Sequence, residues 1–263
     1  MRGKESESKE LLLVGTVHRD PQGFTKLAAL LARERPAAVA VELSPYGLAF
    51  RGREGRRLRR RLGRRLRRRT AAWGAACRRR GEFKAIDLQL RVPFEYRAAM
   101  RYCRDTGAAL HLIDLSSWSR EAIHRQWPAL VSAENLARIS VEPAAELGGL
   151  VRRDYELAAR LLNEAATPLA PAFLRSWAGD PAWAERETVL AARLAELFGE
   201  REDGRLVYVG GWQHLLAAPG YGTLYERISH LRPRRVLLTE DARRRGMTND
   251  KCQMTNRAGA PHP

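Results

Sequence analysis

Leu11-Leu-Leu-Val-Gly-Thr-Val-His18, then Asp20-Pro21, then Ala37-Ala-Val-Ala-Val-Glu-Leu43 is the stretch that decides the fold. Leu11 to Val17 is an apolar run of strand length, and an unbroken run of that kind marks a strand buried on both faces. Asp20 followed by Pro21 has the form of an N-cap with proline at the first helical position. Phe24, Leu27, Ala28 and Leu31 then fall on one helical stripe, and Pro36 ends the helix. Ala37 to Leu43 is a second buried strand. The chain thus opens β-α-β, which predicts two parallel strands placed side by side with a right-handed crossover.

Outward from that unit the same periods recur. Lys84 to Leu88 is compatible with a short strand. Pro93 to Asp105 reads as a helix stopped near Gly107, Ala109 to Leu115 as a third strand, and Ser117 as the cap of a helix beginning at Trp118. Residues 132–198 are helical in pattern and punctuated by Pro168, Pro171 and Pro181. Strand character returns at Arg205 to Val209. A helix over Gly222 to Leu231 leads to a last strand, Arg235 to Thr239. The expected fold is α/β: a mostly parallel central sheet flanked by helices, with a helical insertion in the middle of the chain. Residues 11–239 form the expected domain, with disordered segments at 1–10 and 240–263.

Composition bounds the function. The 263 residues are 44% apolar, ample for one large core. Cys77, Cys103 and Cys252 are odd in number and irregular in spacing, which excludes a disulfide framework and a zinc ribbon. No run is long and apolar enough for a signal peptide or a membrane span, so the expectation is a cytoplasmic protein without an integral membrane segment. The net charge of +17 is concentrated: residues 51–80 hold fifteen Arg and one Glu. Within them Leu58, Leu62 and Leu66 form a narrow apolar stripe on a helix otherwise made of Arg. This basic helix is suited to nonspecific contact with a polyanion or an anionic membrane. It lacks interleaved aromatics and matches no DNA-reading motif.

Two Gly-x-x-His sequences, Gly15 to His18 and Gly211 to His214, each follow an apolar strand. Each puts a histidine at the carboxyl end of a strand, where parallel sheets bind ligands, on a turn that glycine lets bend tightly. Glu42 interrupts a strand expected to be buried, and a carboxylate there needs a partner or a cation. Two histidines and one carboxylate make a common ligand set for a divalent metal, which lowers the pKa of a bound water. Each residue also has a structural reading: a satisfied turn histidine, or a glutamate at an exposed strand end. Arg186 shares the helical stripe of Trp183, Leu190 and Leu197 and is a candidate for binding a substrate anion. His111, Asp87 and Asp114 are weaker candidates, with a structural role at least as well suited.

Leu13-Val-Gly-Thr-Val-His18, Ala38-Val-Ala-Val-Glu-Leu43, Glu185-Arg-Glu-Thr-Val-Leu190 and Tyr208-Val-Gly-Gly-Trp-Gln-His214 together resemble the TraB/GumN/Tiki superfamily, over about Leu11 to Thr239. The resemblance implies that His18, Glu42 and His214 are the paired histidines and glutamate holding a divalent metal, Mn or Co more readily than Zn, with Arg186 beside them and Gly15 and Gly211 in the binding turns. It further implies hydrolysis of a peptide or ester bond. The chain departs from the family at Trp212 and Gln213, bulky where small residues are usual, and at Glu187, where Asp or Asn is usual. Two other readings stand beside this one: a non-catalytic protein that binds a peptide or small molecule in the same pocket, and a polyanion-binding protein that uses the basic helix.

Overall fold

A computed structural model describes residues 9–73, 80–163, 173–174, 180–218 and 220–239. The fold is α/β. Five strands form one all-parallel sheet in the order β3-β2-β4-β1-β5: β1 Glu10–Thr16, β2 Ala38–Val41, β3 Ala109–Leu112, β4 Arg205–Gly211 and β5 Arg234–Leu237. Alternating side chains feed two cores. Leu12, Val14, Val39, Val41, Val207 and Val209 face helices α1 (Gly23–Glu34), α4 (Phe94–Thr106) and α7 (Leu147–Asn163). Leu11, Leu13, Ala38, Ala40, Leu206 and Tyr208 face α8 (Pro181–Gly199) and α9 (Leu224–Ile228). Burial on both faces explains why the central strands read as continuous apolar runs rather than as alternation.

A third core lies beside the sheet. Leu62 of α2 (Pro45–Trp73) packs there with residues of α3 (Gly81–Gln89), α5 (Ser116–Leu130) and α6 (Ala133–Val141), with Leu58 and Leu66 partly buried against it. The leucine stripe of the basic helix is therefore its inner face.

Several expectations are corrected. β1 and β2 are parallel but not adjacent, because β4 lies between them and pairs with both. A strand 160 residues downstream completes the sheet centre, and local sequence carries no signal for it. Lys84 to Leu88 is helical, inside α3, because Phe83, Ile86 and Leu90 bury at helical spacing. Helix α1 starts at Gly23 rather than at Pro21: Asp20 accepts the backbone N–H of Gln22 at 2.8 Å in a turn just before it. Helix α5 starts at Ser116, with Leu115 rather than Ser117 at its N-cap. The basic helix begins at Pro45, not Arg51. The last helical segment is shorter than expected, Leu224–Ile228 followed by a 3₁₀ turn at Ser229–Leu231. Lys9 and Glu10 belong to the folded part, Glu10 pairing with Arg205 and Arg234. The remainder of the expected disordered termini (residues 1–8 and 240–263), the end of the basic segment (74–79), Pro168, Pro171, Cys77 and Cys252 lie outside the described residues. No described helix is long and apolar enough to cross a membrane.

Candidate functional site

Four neighbouring strands end at one place. His18 lies two residues past β1, Glu42 directly past β2, Asp114 two residues past β3, and His214 on the 3₁₀ turn Trp212–Leu215 that follows β4. Helix α8 adds Arg186 and Glu187 from its second turn, and α4 adds Glu95 from its first. His18, Glu42, Asp114, Arg186 and His214 all line one cavity of about 550 Å³ at the carboxyl edge of the sheet.

Glu42 is the hub. Oε1 accepts from Arg186 Nη2 and lies 3.0 Å from His214 Nε2, while Oε2 accepts the Gly211 N–H at 2.6 Å and the Tyr208 hydroxyl at 3.3 Å. Burial alone would raise its pKa; the His214 and Arg186 charges outweigh that and hold it well below the usual carboxylate range. Arg186 is 5% exposed and forks onto Asp114, Nε and Nη2 each at 2.9 Å, with the Trp118 ring 4.0 Å from its guanidinium carbon. Burial disfavours its charge, but Glu42 and Asp114 raise its pKa.

The two histidines differ. His214 is 3% exposed and held at both nitrogens, Nδ1 by Glu187 at 2.5 Å and Nε2 by Glu42. Trp183 stacks on its ring at 5.1 Å. Burial favours the neutral ring, but the two carboxylates raise the pKa to about 10, so His214 is an imidazolium at neutral pH. His18 is 56% exposed at the cavity wall. Its Nδ1 bonds Glu95 Oε1 at 2.8 Å, and the Thr16 hydroxyl reaches the same oxygen at 2.8 Å. Here too burial lowers the pKa, and the Glu95 hydrogen bond and charge reverse the sign, so His18 is held above its ordinary value. With Nδ1 occupied, Nε2 is the nitrogen left for a ligand or a proton.

Both motif glycines lie inside strands, not on turns, and neither has a positive φ. Gly15 pairs with Gly210 across β1 and β4, and a Cβ on it would meet the Trp212 backbone at 3.0 Å, so it serves close packing and does not line the cavity. Gly211 is at the chemistry. A Cβ there would lie 2.8 Å from Gln213 Oε1, 3.1 Å from His18 Nε2 and 3.5 Å from Glu42 Oε2. The missing side chain leaves the space between those three groups open.

The donor set, as arranged, does not suit a divalent cation. Both Glu42 oxygens are saturated by protein donors, Arg186 supplies the positive charge a metal would supply, and each His214 nitrogen faces a carboxylate oxygen. Among the described residues no group of three or more His, Cys, Asp and Glu side chains is placed to hold a metal ion.

Glu95, Arg51 and the tryptophans of the cavity wall escape the sequence reading. Glu95 has no period to mark it beyond its place in the first turn of a helix. Asp114, a candidate with an equal reading as a turn cap, does both: its Oδ1 accepts the Leu115 N–H at 2.8 Å, and its carboxylate is the bidentate partner of Arg186. Arg51 and the tryptophans of the cavity wall were hidden in a run of arginine and in helical patterns. Asp87 is a structural acid that pairs with Arg59 and Arg91. His111 is half-buried in β3 and does not line the cavity. Cys103 is buried and free, and burial pushes its thiol up to about 11. Compared with family models, curated proteins and solved structures, the chain matches none.

Proposed function

We propose that this chain is a hydrolase of the TraB/GumN/Tiki type, acting on a peptide or ester bond in the cavity at the carboxyl edge of the sheet. One observation carries the reading: His18 is oriented by a buried carboxylate at Nδ1 and turns Nε2 into a gap that also faces Glu42. That is the arrangement of a general base with its orienting acid. His18 Nε2 takes the proton of an attacking water in the space beside Gly211. Glu42, Arg186 and His214 form a preorganised charged floor whose positive groups offset charge developing on the substrate. Trp183 and Trp118 exclude water from that floor. The superfamily resemblance implies Mn or Co, which His18, Glu42 and His214 would hold and which would lower the pKa of a water; in this arrangement Arg186 occupies the Glu42 carboxylate.

The test is turnover of a panel of peptide and ester substrates, with and without chelator, beside metal analysis by mass spectrometry. Chelator-resistant turnover that is lost in His18→Ala supports the reading. Turnover equal in wild type and His18→Ala sinks it, and a pocket that binds a peptide or small molecule without turning it over is then the better description. A stoichiometric metal lost in both Glu42→Ala and His214→Ala means that Arg186 leaves Glu42 in the working enzyme.

A second reading concerns α2. The exposed arginines 53, 56, 57, 60, 61, 64, 67 and 68 fall within about 140° of the helix circumference and along about 22 Å of its length. Among the described residues only Glu54 pairs with one of them, Arg57, at 3.4 Å. A stripe of this kind binds a nucleic-acid backbone through its phosphates, with affinity that falls steeply with salt. Binding of duplex RNA or DNA that survives 200 mM salt unchanged, or survives reversal of three stripe arginines to Glu, argues against it.

A further inference from the structure

Five arginines line the cavity, and four of them have a carboxylate: Arg19 pairs with Asp154 at 2.6 Å, Arg91 with Asp87 at 2.5 Å, Arg125 with Glu121 at 3.4 Å, and Arg186 with Glu42 and Asp114. Arg51 is the exception. Among the described residues it has no ion pair. Its Nη1 donates to the Gly47 carbonyl of its own helix at 3.2 Å, and its Nε is buried with no acceptor. Its guanidinium carbon sits 4.9 Å over the Trp127 ring, and Trp127 is in turn fixed edge-on by Phe50 at 5.5 Å. Burial pulls Arg51 down to about 10, with Glu95 and Asp114 acting in the opposite direction. It remains charged at neutral pH. Among the described residues Arg51 is therefore the cavity arginine that is pre-positioned, half-dry and without a direct ion pair, with Glu95 and Asp114 acting on it only from a distance.

An uncompensated guanidinium in a partly dehydrated site is costly unless a ligand completes it. The shape that completes an arginine fork is a carboxylate. A dianion fits less well, because Glu95 and Asp114 act on the same guanidinium. The cavity wall carries three tryptophans: Trp127 lies under Arg51, while Trp118 and Trp183 lie against Arg186 and His214, and Ile123 and Ala122 add to the apolar lining. The geometry points to Arg51 as the anchor for a free carboxylate on the substrate, with an aromatic or aliphatic body lying along the tryptophans toward His18. The substrate class is an N-acylated amino acid or a short peptide with a free α-carboxylate. This rests on the hydrolase reading only in calling the ligand a substrate; the anion site itself is read from binding.

The experiment is equilibrium binding of N-acetyl-L-phenylalanine and of its neutral amide at pH 7, followed by intrinsic tryptophan fluorescence and confirmed by calorimetry. Wild type is expected to bind the carboxylate at least about tenfold more tightly than the amide, as a charge-assisted bond requires. Arg51→Gln should bind both equally, and Arg51→Lys should regain part of the preference. Equal affinity of wild type for the two probes, binding of neither, or a preference that survives in Arg51→Gln overturns the proposal. If Arg51→Gln does not fold, the wild-type preference and its partial retention in Arg51→Lys decide. Turnover is scored separately. A carboxylate preference without hydrolysis of any ester or amide discards the hydrolase and keeps the anchor, whereas hydrolysis without the preference does the reverse.

Discussion

Arg186 holds Asp114 through two parallel bonds of 2.9 Å, across 72 residues of sequence, and both side chains are about 6% exposed. A buried fork of this kind has no water to fall back on. Removing Arg186 leaves two buried carboxylates without their counter-ion, and removing Asp114 leaves the buried Arg186 fork half-filled beside Glu42, each at a cost of about 3–5 kcal/mol. Asp114→Ala and Arg186→Met should each lower stability by that order. The double variant should lose less than the two together by at least about 1 kcal/mol, because the pair acts as a unit. Urea unfolding of the three variants measures this. Additive losses would mean that the two side chains stabilise the fold separately.

The ionisation of His18 sets a pH limb. Glu95 holds the imidazole above its ordinary value of 6.5, and a general base works only when neutral. Activity should therefore rise with pH through a midpoint above 6.5. Glu95→Gln removes the acceptor and its charge, and should move that midpoint down toward 6.5 while lowering kcat through loss of orientation. The pH profile of kcat/KM in both proteins is the check; an unmoved midpoint would assign the limb to another group.

Gly211 has φ −59° and ψ 137°, backbone that any residue can adopt. Gly211→Ala is thus expected to fold and to cost less than about 1 kcal/mol of stability. Its methyl group would nonetheless stand 3.1 Å from His18 Nε2, in the space reserved for the reacting atoms. Turnover should fall at least about a hundredfold, the scale on which misplaced reacting groups act. Full activity in a folded Gly211→Ala would move the reaction centre elsewhere in the cavity.

Acid stability depends on the amino-terminal edge of the sheet. Glu34 accepts from Arg234 at 2.6 Å and lies 3.1 Å from Arg205, and Glu10 pairs with both arginines. Burial raises the Glu34 pKa, but Arg33, Arg234 and Arg205 together bring it below the ordinary 4.5. The folded state then binds fewer protons than the unfolded one. The stabilisation is present above pH 4.5 and is lost as pH falls through the depressed value. Glu34→Gln should cost about 1–2 kcal/mol at pH 7, and the difference from wild type should shrink as the pH falls through the depressed Glu34 value. Denaturation of both proteins over an acid pH series tests it.

Particular residues separate what was legible in the sequence from what was not. Leu11 to Val14, Ala38 to Val41 and Leu206 to Val209 announce buried parallel strands, because a strand covered on both faces has no polar side to show. Phe94 to Thr106, closed by Gly107 at φ 79°, announces its helix for an equally local reason. The positions of His18 and His214 just past their strands were also readable, since a strand's end is a local event and its carboxyl end faces the ligand side in any parallel sheet, whereas Glu42, read inside its strand, lies directly past it. Tertiary structure alone decided the rest. It placed β4 between β1 and β2, gave Arg186 to Asp114 and Glu42, set Glu95 behind His18, and left Arg51 without an ion pair among the described residues. These pairings join residues 72 to 144 positions apart, and Coulomb attraction acts through space rather than along the chain. The sequence by itself determined which groups would reach one edge of the sheet; the order of the strands determined which of them would neutralise one another.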